Sequence, residues 1–525
     1  MNMDNILNFL KNVFTTNEEK FSITSAEGMS EKTSIKVFTD MEENLKTIKN
    51  YFSSPLNSDI KIREFMTCGR KSFAVFIENL VNSELLNTHI LAPLILLKKD
   101  AGSEDITKTL IVHNQVSTQT EFEKILLSVN MGDCALFIDG FDKCIICDVK
   151  FWVRRGVEPP VSEAVIYGPH EGFNENFKTN TALIRKIVRN ENMICETVNV
   201  GNVSKTPCAL IYMKNITDEN TVNEIRHRLN NIDSDYIFQL GELEQYIEDS
   251  NYSLVPQFLT TERPDKAASE LIEGKIVLIL QGSPFALIAP VTAGEFITTV
   301  EDDYIRFPFA NLIKVIRIIG IIMSFLLSGL YVATVNFHHE MIPTSLLFAI
   351  EASRNAVPLS AFGEILLMEI AFDIIREASI RVPSSIGSTL GIIGGLIIGQ
   401  AAVEAKLVSP IAIIIVAAVG IGSFATPNYG FNMALRFSRY IYLILGATAG
   451  FFGITLGLVI SAYILSHIKS LGVPLLSGTG SKSEDNFTGM FFKAPVWKRE
   501  IRHKYLHAKQ ERTQAKISRK WVEPK

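Results

Sequence analysis

The sequence predicts an α/β soluble N-terminal half, made of two tandem α/β subdomains, followed by an all-α polytopic membrane domain. Three observations lead to this prediction. Strand-like and helix-like segments alternate up to about residue 305, and several apolar stretches of membrane-spanning length cluster between Lys314 and Ser466. The mean hydropathy of +0.20 over 525 residues is typical of a soluble domain joined to a membrane domain.

The predicted domain boundaries follow changes in composition along the chain. Polar and charged residues at the start predict a flexible leader. The full division is a leader at 1–45, soluble α/β subdomain 1 at 46–155, a connector and soluble α/β subdomain 2 at 156–305, a membrane domain at 306–470, and a flexible basic C-terminal tail at 471–525.

Composition also restricts the compartment and the function class. The opening MNMDNILNFLKNVF has no apolar core of signal-peptide length, so the first 300 or so residues are expected to stay in the cytosol. Six cysteines without a disulfide framework agree with a reducing compartment. A net charge of −5 gives no nucleic-acid footprint, so no nucleic-acid partner is expected.

The two soluble subdomains repeat one pattern. A strand near Phe73 runs into an acid-rich helix start, and so does a strand near Ala209. The hairpins CALFIDGFDKCIICDV and IVLILQGSPFALIAPV turn at Gly140 and Gly282. The repetition predicts a tandem duplication.

The connector from Gly156 to Asn190 has two interpretations. It ends in a predicted helix, Phe177 to Val188, that carries several basic residues. Its GPHEG sequence lacks the glycines and the lysine of a phosphate-binding loop. The stretch is therefore either a linker with a solvated basic helix face or a contact surface for a neighbouring subunit.

The sequence predicts neither an enzyme nor a metal or cofactor site. Cys144 and Cys147 form a C-x-x-C pair, but the pair lies in a predicted strand and three positions place the thiols on opposite faces. The HHE cluster at His338 lacks the zinc-protease pattern, because Pro343 stands where the second histidine would be. The soluble half also lacks a credible catalytic constellation.

Four spans and a broken region make up the predicted membrane domain. Twenty residues at 1.5 Å each are enough to cross a bilayer. The predicted spans are about 318–337, 386–406, 410–425 and 440–466, with re-entrant or interfacial helices at 341–381, where prolines interrupt the sequence.

The span at 386–406 has two opposed faces. Glycines recur at every fourth position and predict close helix packing, whereas the opposite face carries an amide and a carboxylate. The packing candidates are Gly387, Gly391, Gly395 and Gly399. The candidate pore or polar face includes Gln400, Glu404 and the adjoining Val403.

The helix predicted from Leu359 to Ala378 carries an acidic stripe. Glu369, Asp373 and Glu377 are four apart, and Glu364 lies off the stripe. One interpretation is an interfacial amphipathic helix with a solvated face. The other is a cation-attracting vestibule at a pore mouth, which adds Glu364, Glu369 and Asp373 to the candidate polar face.

Charge bias suggests the orientation of the membrane domain. Lys314 and Arg317 place the start of the first span inside, and eleven Lys or Arg against three Glu from Lys493 onward place the C-terminus inside. Four crossings satisfy both. This topology leaves arginines outside, against the rule: Arg376, Arg381, Arg436 and Arg439.

Four blocks of sequence resemble the A subunits of bacterial spore germinant receptors, the GerA family. They are EPPVSEAVIYGPHEGFNENFKTNTALIRK from Glu158, VTAGEFITTVEDDY from Val291, HHEMIPTSLL from His338 and IGQAAVEAKLVSP from Ile398. The resemblance covers nearly the whole chain apart from the leader and tail. A paralogous group of spore membrane proteins with the same architecture fits the same blocks.

The resemblance implies a protein of the spore inner membrane. The predicted spans and the charge bias add the expectation of a multi-pass protein with its N-terminal domain and C-terminal tail in the cytoplasm. The resemblance also implies a permease-like B subunit and a lipoprotein C subunit as partners, nutrients as the trigger of germination, and a homo-oligomeric ring that conducts ions. The lipid of the membrane is a further expected partner.

Three hypotheses for the function follow. The first is a receptor subunit that oligomerises into a ligand-gated cation channel, supported by the glycine ridge and the polar face. The second is a non-conducting scaffold that transmits a signal from a nutrient-binding partner. The third is a secondary transporter, which ranks last because the breaks at Pro343 and Pro358 have no matching half.

Overall fold

The structure, a computed structural model, describes residues 35–96, 111, 115–151, 159–160, 162–381, 395, 397–477, 493 and 495–514. Subdomain 1 is a five-stranded antiparallel sheet with helices on both faces. Its elements are α1 (Met41–Tyr51), β1 (Ile60–Thr67), β2 (Arg70–Ile77), α2 (Ser83–Leu85), a π-helical turn (Leu86–Leu91), α3 (Ala92–Leu96), β3 (Val116–Gln119), α4 (Phe122–Asn130), β4 (Cys134–Ile138) and β5 (Cys144–Cys147).

Alternation along the strands divides the core of subdomain 1 into two layers. Phe73 and Val75 of β2 pack under α1 and α4, whereas Ala74 between them packs under the helical turns after Ser83. Cys144 and Cys147 likewise enter different layers, as their spacing predicts. Burial raises the pKa of the Cys144 thiol well above its usual value and that of Cys147 to about 12, so neither is a ready thiolate.

Subdomain 2 contains a second five-stranded antiparallel sheet and begins with the helix predicted in the connector. Asn176 caps this helix by accepting hydrogen bonds from two backbone N–H groups. The elements are α5 (Phe177–Ile187), β6 (Met193–Val200), β7 (Thr206–Met213), α6 (Glu219–Asn230), α7 (Leu240–Ile247), β8 (Leu259–Thr261), α8 (Pro264–Glu273), β9 (Ile276–Leu280), β10 (Ala286–Ala289) and α9 (Glu301–Tyr304).

The two sheets have the same strand order and the same register. The order is β1-β2-β4-β5-β3 in the first and β6-β7-β9-β10-β8 in the second. Phe73 pairs with Phe137 in the first sheet, and Ala209 pairs with Ile279 at the equivalent place in the second. The repeated sequence pattern therefore corresponds to a repeated fold.

A buried arginine joins the two subdomains. Arg185 of α5 donates from Nε to Asp59 Oδ2 at 2.7 Å and from Nη2 to Asp59 Oδ1 at 2.9 Å. The same Nη2 donates to Asn57 Oδ1 and to the Met193 carbonyl, each at 3.0 Å. Asp59 and Asn57 belong to subdomain 1 and Met193 to subdomain 2, so this side chain contacts both sides of the junction.

The rest of the described chain is a helical region. Two of its helices are long and apolar enough to cross a bilayer, Phe307–Phe337 and Tyr429–His467. Its elements are α10 (Phe307–Phe337), a 3-10 turn (His339–Met341), α11 (Thr344–Arg354), α12 (Ala361–Arg381), α13 (397–404), α14 (Pro410–Phe424), α15 (Tyr429–His467), β11 (Lys469–Ser470) and β12 (Val473–Pro474).

The first helix starts earlier than the predicted span at 318–337. Helix α10 begins at Phe307, because Pro308 suits the first helical turn and lacks only an N–H that would have no partner there. Of the predicted span at 386–406, the structure describes 395 and 397–406, and the helix there ends at residue 404. Gly387 and Gly391 lie outside the described residues.

Helix α15 is two antiparallel arms rather than one span. Gly450 interrupts it with a φ of 61° and a ψ of −141°, a conformation open essentially only to glycine. The arms, 429–449 and 451–467, fold back on each other, since Tyr442 Oη lies 2.8 Å from Ser461 Oγ. A single span over 440–466 is therefore wrong.

Helix α10 runs away from the α/β domain, and helices α12 and α14 run back toward it. The end of α10 packs against Gly450, far from the α/β domain. Helix α12 starts there, where Ala361 joins Val335 in a small core, and returns toward the domain, so that its Glu369 meets Ser328 lower on α10. Helix α14 also runs toward the domain, because Gly422 near its end packs on α10 at Gly320.

The chain after α15 does not leave as a flexible tail. Ala293 of subdomain 2 donates its N–H to the Leu475 carbonyl at 2.8 Å, and Tyr505 Oη donates to Glu295 at 2.9 Å. Leu475 is fully buried in the core of subdomain 2. The predicted flexibility of 471–525 is thus wrong for residues 471–477 and 495–514, because apolar and hydrogen-bonding residues are interspersed among the basic ones.

Candidate functional site: buried charges in the helical region

Three of the four acidic residues of α12 lie inside the helical region, whereas Glu377 is exposed. Glu364 and Glu369 are completely buried, and the side chain of Asp373 is 20% exposed. An interfacial helix with a solvated acidic face would expose all three, so that interpretation of α12 is wrong. Buried carboxylates require partners, because an unpaired charge is costly away from water.

Glu369 and Arg439 form the centre of the site. Glu369 Oε2 lies 3.3 Å from Arg439 Nε, and Ser328 of α10 donates its hydroxyl to the other carboxylate oxygen. Arg439 lies on the first arm of α15 and is 1% exposed. Three helices therefore meet at one charged pair.

Asp373 extends the site by one helical turn. Arg436 Nη2 lies 2.8 Å from Asp373 Oδ1, and Arg439 Nη2 donates to Asp373 Oδ2 at 3.0 Å. Tyr440 Oη donates to the same Oδ2 at 2.7 Å. We call this group the carboxylate–arginine cluster; its members are Ser328, Glu369, Asp373, Arg436, Arg439 and Tyr440.

The cluster is neutral but incompletely hydrogen bonded. Its two carboxylates match its two guanidinium groups in charge. Glu369 Oε2, Asp373 Oδ1, Arg436 Nε and Arg439 Nε are buried, and none of these atoms makes a hydrogen bond within the described part of the chain. Polar atoms that are buried without a hydrogen bond cost free energy, so the cluster depends on the ion pairs that its side chains make.

Glu364 has a separate set of partners at the far end of the bundle. Its Oε1 accepts from Arg354 Nε at 3.0 Å, and its Oε2 accepts from the Ser409 N–H at 2.8 Å. Ser409 in turn caps α14. Glu364 therefore ties α12 to the start of α14.

The candidates on α13 are placed differently. Gln400 and Glu404 are exposed and hydrogen bonded to each other, Nε2 to Oε1, at 3.1 Å. Val403 is half-buried and packs against the core that α10, α12 and α14 share. The two polar residues thus form one outward-facing pair.

Two of the four predicted packing glycines lie in the described chain, and they differ. A Cβ added at Gly399 would make ordinary contact with Ile413, whereas a Cβ at Gly395 would meet nothing within 4 Å. The tight backbone contacts lie elsewhere, where Gly329 of α10 crosses Gly446 of α15.

A second charged pair connects the helices to the α/β domain. Arg317 of α10 donates to Asp302 of α9 at 2.9 Å and to the Ile297 carbonyl at 2.7 Å. Burial would raise the pKa of Asp302, but the hydrogen bonds from Arg317 and the Thr299 N–H, together with the positive charges of Arg317 and Lys493, lower it below its usual range. Nearby, the Phe296 and Phe431 rings stack at 5.4 Å, linking subdomain 2 to the first arm of α15.

The family of the chain follows from comparison with known sequences. The sequence model described as "Bacillus/Clostridium GerA spore germination protein" matches residues 46–505. The chain belongs to the GerA family. The resemblance seen in the four sequence blocks is thereby confirmed.

Relatives in Bacillus subtilis match over most of their length. Spore germination protein KA is 36% identical over 471 residues, 88% of this chain and 86% of that protein. Spore germination protein A1 is 36% identical over 71% of this chain and 78% of that protein. The uncharacterized membrane protein YfkQ is 35% identical over 84% and 86%. The family thus includes members that are not named for germination.

One solved structure also resembles this chain. It is the N-terminal domain of the A subunit of the Bacillus megaterium spore germinant receptor GerK3. The match covers 49% of this chain and 98% of that one, with 29% identity and a TM-score of 0.38.

Sequence reasoning missed the basic half of the site. Arg436 and Arg439 appeared only as an objection to the predicted topology, and Ser328 had no role. The available signal was the number of charges: arginines and carboxylates in apolar helices usually pair with one another. Four of these charges do so here.

Proposed function

We propose that this chain is a membrane subunit of a spore germinant receptor that responds to nutrients and starts germination, acting as a ligand-gated cation channel once it oligomerises. Family membership and relatives named for spore germination support the role in germination. The proposed location is the spore inner membrane, with a permease-like B subunit and a lipoprotein C subunit as partners.

The observation that carries the channel is the contrast between two sets of polar residues. The carboxylates of Glu364, Glu369 and Asp373 form ion pairs with arginines of the same chain. Gln400 and Glu404 face outward from α13, whose other residues are apolar. Polar side chains in a membrane are expected to face protein or water, so this pair suits the wall of a cation path between copies of the chain.

The alternation of helix directions supports a multi-pass arrangement. Helix α10 runs away from the α/β domain, α12 and α14 run back toward it, and the two arms of α15 run away and back. The described helical region thus begins and ends on the side of the α/β domain. The contacts of Arg317 and of Leu475 with the α/β domain agree with this, and the domain would lie in the cytoplasm.

Coupling between the domain and the helices supports gating. A displacement of α9 or Phe296 would move α10 through Arg317 and the first arm of α15 through Phe431. Ser328 lies eleven residues beyond Arg317, or about 16 Å along the helix. Both connected helices contribute to the carboxylate–arginine cluster, so a displacement of the α/β domain would reach the contacts that hold α12.

Cation flux tests the proposal. The purified full-length chain is reconstituted in liposomes loaded with a potassium-sensitive dye, with and without the partner subunits and nutrient. Potassium flux that requires the chain, and that changes when Gln400 or Glu404 is replaced by alanine, supports the channel. Absence of flux in the complete receptor with a germinant that triggers its spores would exclude it.

A non-conducting scaffold is the second candidate, and a specific observation favours it. Every buried carboxylate of α12 is neutralised within the chain, so the carboxylates could serve only to hold the helices in register. In that case the chain would transmit a signal from a permease-like partner. Unchanged flux in variants at Gln400 and Glu404, together with loss of germination when Arg317 is replaced, would support the scaffold.

A further inference from the structure

Residues 493 and 495–499 of the C-terminal segment lie against the start of α10. The Asn311 side chain donates to the Lys493 carbonyl at 3.1 Å and accepts from the Lys493 N–H at 2.7 Å. Asp303, just before the helix, lies 2.8 Å from Lys493 Nζ and accepts from Arg499 Nη1 at 2.7 Å. Two reciprocal hydrogen bonds and two ion pairs thus fix this segment against the first turns of α10.

The segment brings a tryptophan to that position. The Trp497 ring meets the Phe307 ring edge to face, with centroids 6.2 Å apart. Trp497 remains 41% exposed and Val496 60% exposed. Both side chains are therefore held in place while part of their surface stays exposed in the described part of the chain.

An apolar stripe runs along another face of α10 from the same end of the helix. The stripe follows helical spacing at intervals of three, four and three residues, so its members share one face. Each member is at least 52% exposed; they are Phe309, Leu312, Ile316 and Ile319. A stripe that runs along a helix of spanning length is the side expected to contact lipid acyl chains.

The charge of the residues around Trp497 indicates which surface lies at this end of α10. Residues 493–514 contain seven Lys or Arg and two Glu, and the exposed Arg306 stands directly before α10. Tryptophan beside basic residues at the end of a spanning helix is typical of the headgroup region of an anionic leaflet. Lys493 and Arg499 share Asp303 as their partner and Arg306 is exposed, so the charge at this end of α10 favours an anionic lipid surface as the occupant.

We propose that Val496, Trp497 and the start of α10 form a membrane-surface anchor that binds the headgroup region of an anionic phospholipid leaflet. This inference rests on the proposed membrane location of α10. Through Asp303 and Tyr505 the anchor is tied to subdomain 2, so lipid composition would influence how firmly the α/β domain sits on the membrane.

Tryptophan quenching tests the anchor in the full-length chain. Replacing Trp152 and Trp521 by phenylalanine leaves Trp497 as the only tryptophan, because the chain has three. The protein is reconstituted in phosphatidylcholine vesicles, with or without phosphatidylglycerol, in which part of the phosphatidylcholine is brominated near the glycerol backbone. We expect at least a twofold loss of emission on bromination, and a larger loss when phosphatidylglycerol is present.

Matched variants separate the contribution of the positive charge from that of the apolar side chains. Arg306→Gln should reduce the phosphatidylglycerol-dependent part of the quenching, whereas Arg189→Gln, the same charge change on an exposed site of subdomain 2, should not. A second reporter, Ile319→Trp in a background without the native tryptophans, measures insertion of α10 itself. Quenching of the Ile319→Trp reporter without quenching of Trp497 would overturn the anchor and leave the membrane proposal intact.

Other outcomes are equally decisive. If neither reporter is quenched by bromolipid, the membrane location of α10 fails, and the anchor with it. If Trp497 is shielded from both bromolipid and aqueous acrylamide while the Ile319→Trp reporter is quenched, a protein surface covers it, and the lipid anchor is overturned.

Discussion

Glu369 and Arg439 face each other in the middle of the helical region, Oε2 to Nε at 3.3 Å, and neither side chain reaches solvent. Their helices do not follow each other in sequence, since α13 and α14 intervene. The pair therefore depends on the tertiary fold and holds α12 against α15.

Replacing Arg439 by alanine should destabilise the helical region strongly. Breaking a buried ion pair from one side costs about 3–5 kcal/mol, because the remaining charge is left unpaired. We expect a clear fall in the thermal unfolding midpoint of the detergent-purified protein. Arg381→Ala is the matched control, because Arg381 and Glu377 form an exposed pair worth roughly 0.5 kcal/mol or less. Equal midpoints for the two variants would contradict the cluster.

Replacing Gly446 by alanine should separate α10 from α15. The added Cβ would overlap the Gly329 carbonyl, and backbone cannot move aside as a flexible side chain can. We expect a loss of roughly 1–3 kcal/mol, measured as a lower unfolding midpoint in detergent. Gly363→Ala is the control, since its nearest neighbour would lie 3.5 Å away, and it should leave the midpoint nearly unchanged.

The Asp302–Arg317 pair should make stability depend on pH. The folded pKa of Asp302 is lowered, so the stabilisation is present above the unfolded pKa of about 3.9 and is lost as pH falls through the folded value. Asp302→Asn should thus lower the unfolding midpoint at pH 7, and the difference from wild type should shrink below about pH 4. Asp235→Asn, at an exposed aspartate, serves as the control. A difference that is constant with pH would refute the assignment.

Arg185→Lys should loosen the junction between the subdomains. Lysine cannot reproduce the two-pronged contact with Asp59 while also reaching Asn57 and Met193. We expect a loss of roughly 2 kcal/mol or more and faster amide exchange at Ser58, whose N–H bonds to subdomain 2. The control is Lys178→Ala, which removes an exposed bridge across the same junction. Unchanged exchange in Arg185→Lys would show that the junction does not depend on this residue.

The fold of the two α/β subdomains could be predicted from the sequence because its signals are local. Alternation in strands such as KSFAVFIE and turns at Gly140 and Gly282 predicted hairpins, and both glycines adopt positive φ. The repeat was visible because equivalent residues keep the same register in both sheets. The strand order itself depends on long-range pairing, which local patterns do not contain.

The helical region was harder to predict, since its decisive contacts join distant segments. Gly450 lies among several glycines of the predicted span at 440–466, yet its positive φ reverses the chain. Helix length was the missed signal, because an apolar helix of 39 residues greatly exceeds the 20 or so that a bilayer requires. The acidic stripe of α12 was visible, but its partners Arg436 and Arg439 are identified only by the fold.

In the proposed channel, Glu404 faces a cation path formed between copies of this chain. The most direct measurement is the reversal potential of the reconstituted receptor under a potassium chloride gradient, for wild type and for Glu404→Gln. Glu351→Gln, at an exposed carboxylate of α11, is the matched control. We expect Glu404→Gln to lower cation selectivity and so to move the reversal potential toward zero. Glu351→Gln should leave it unchanged. A reversal potential identical in all three proteins would contradict the proposed cation path.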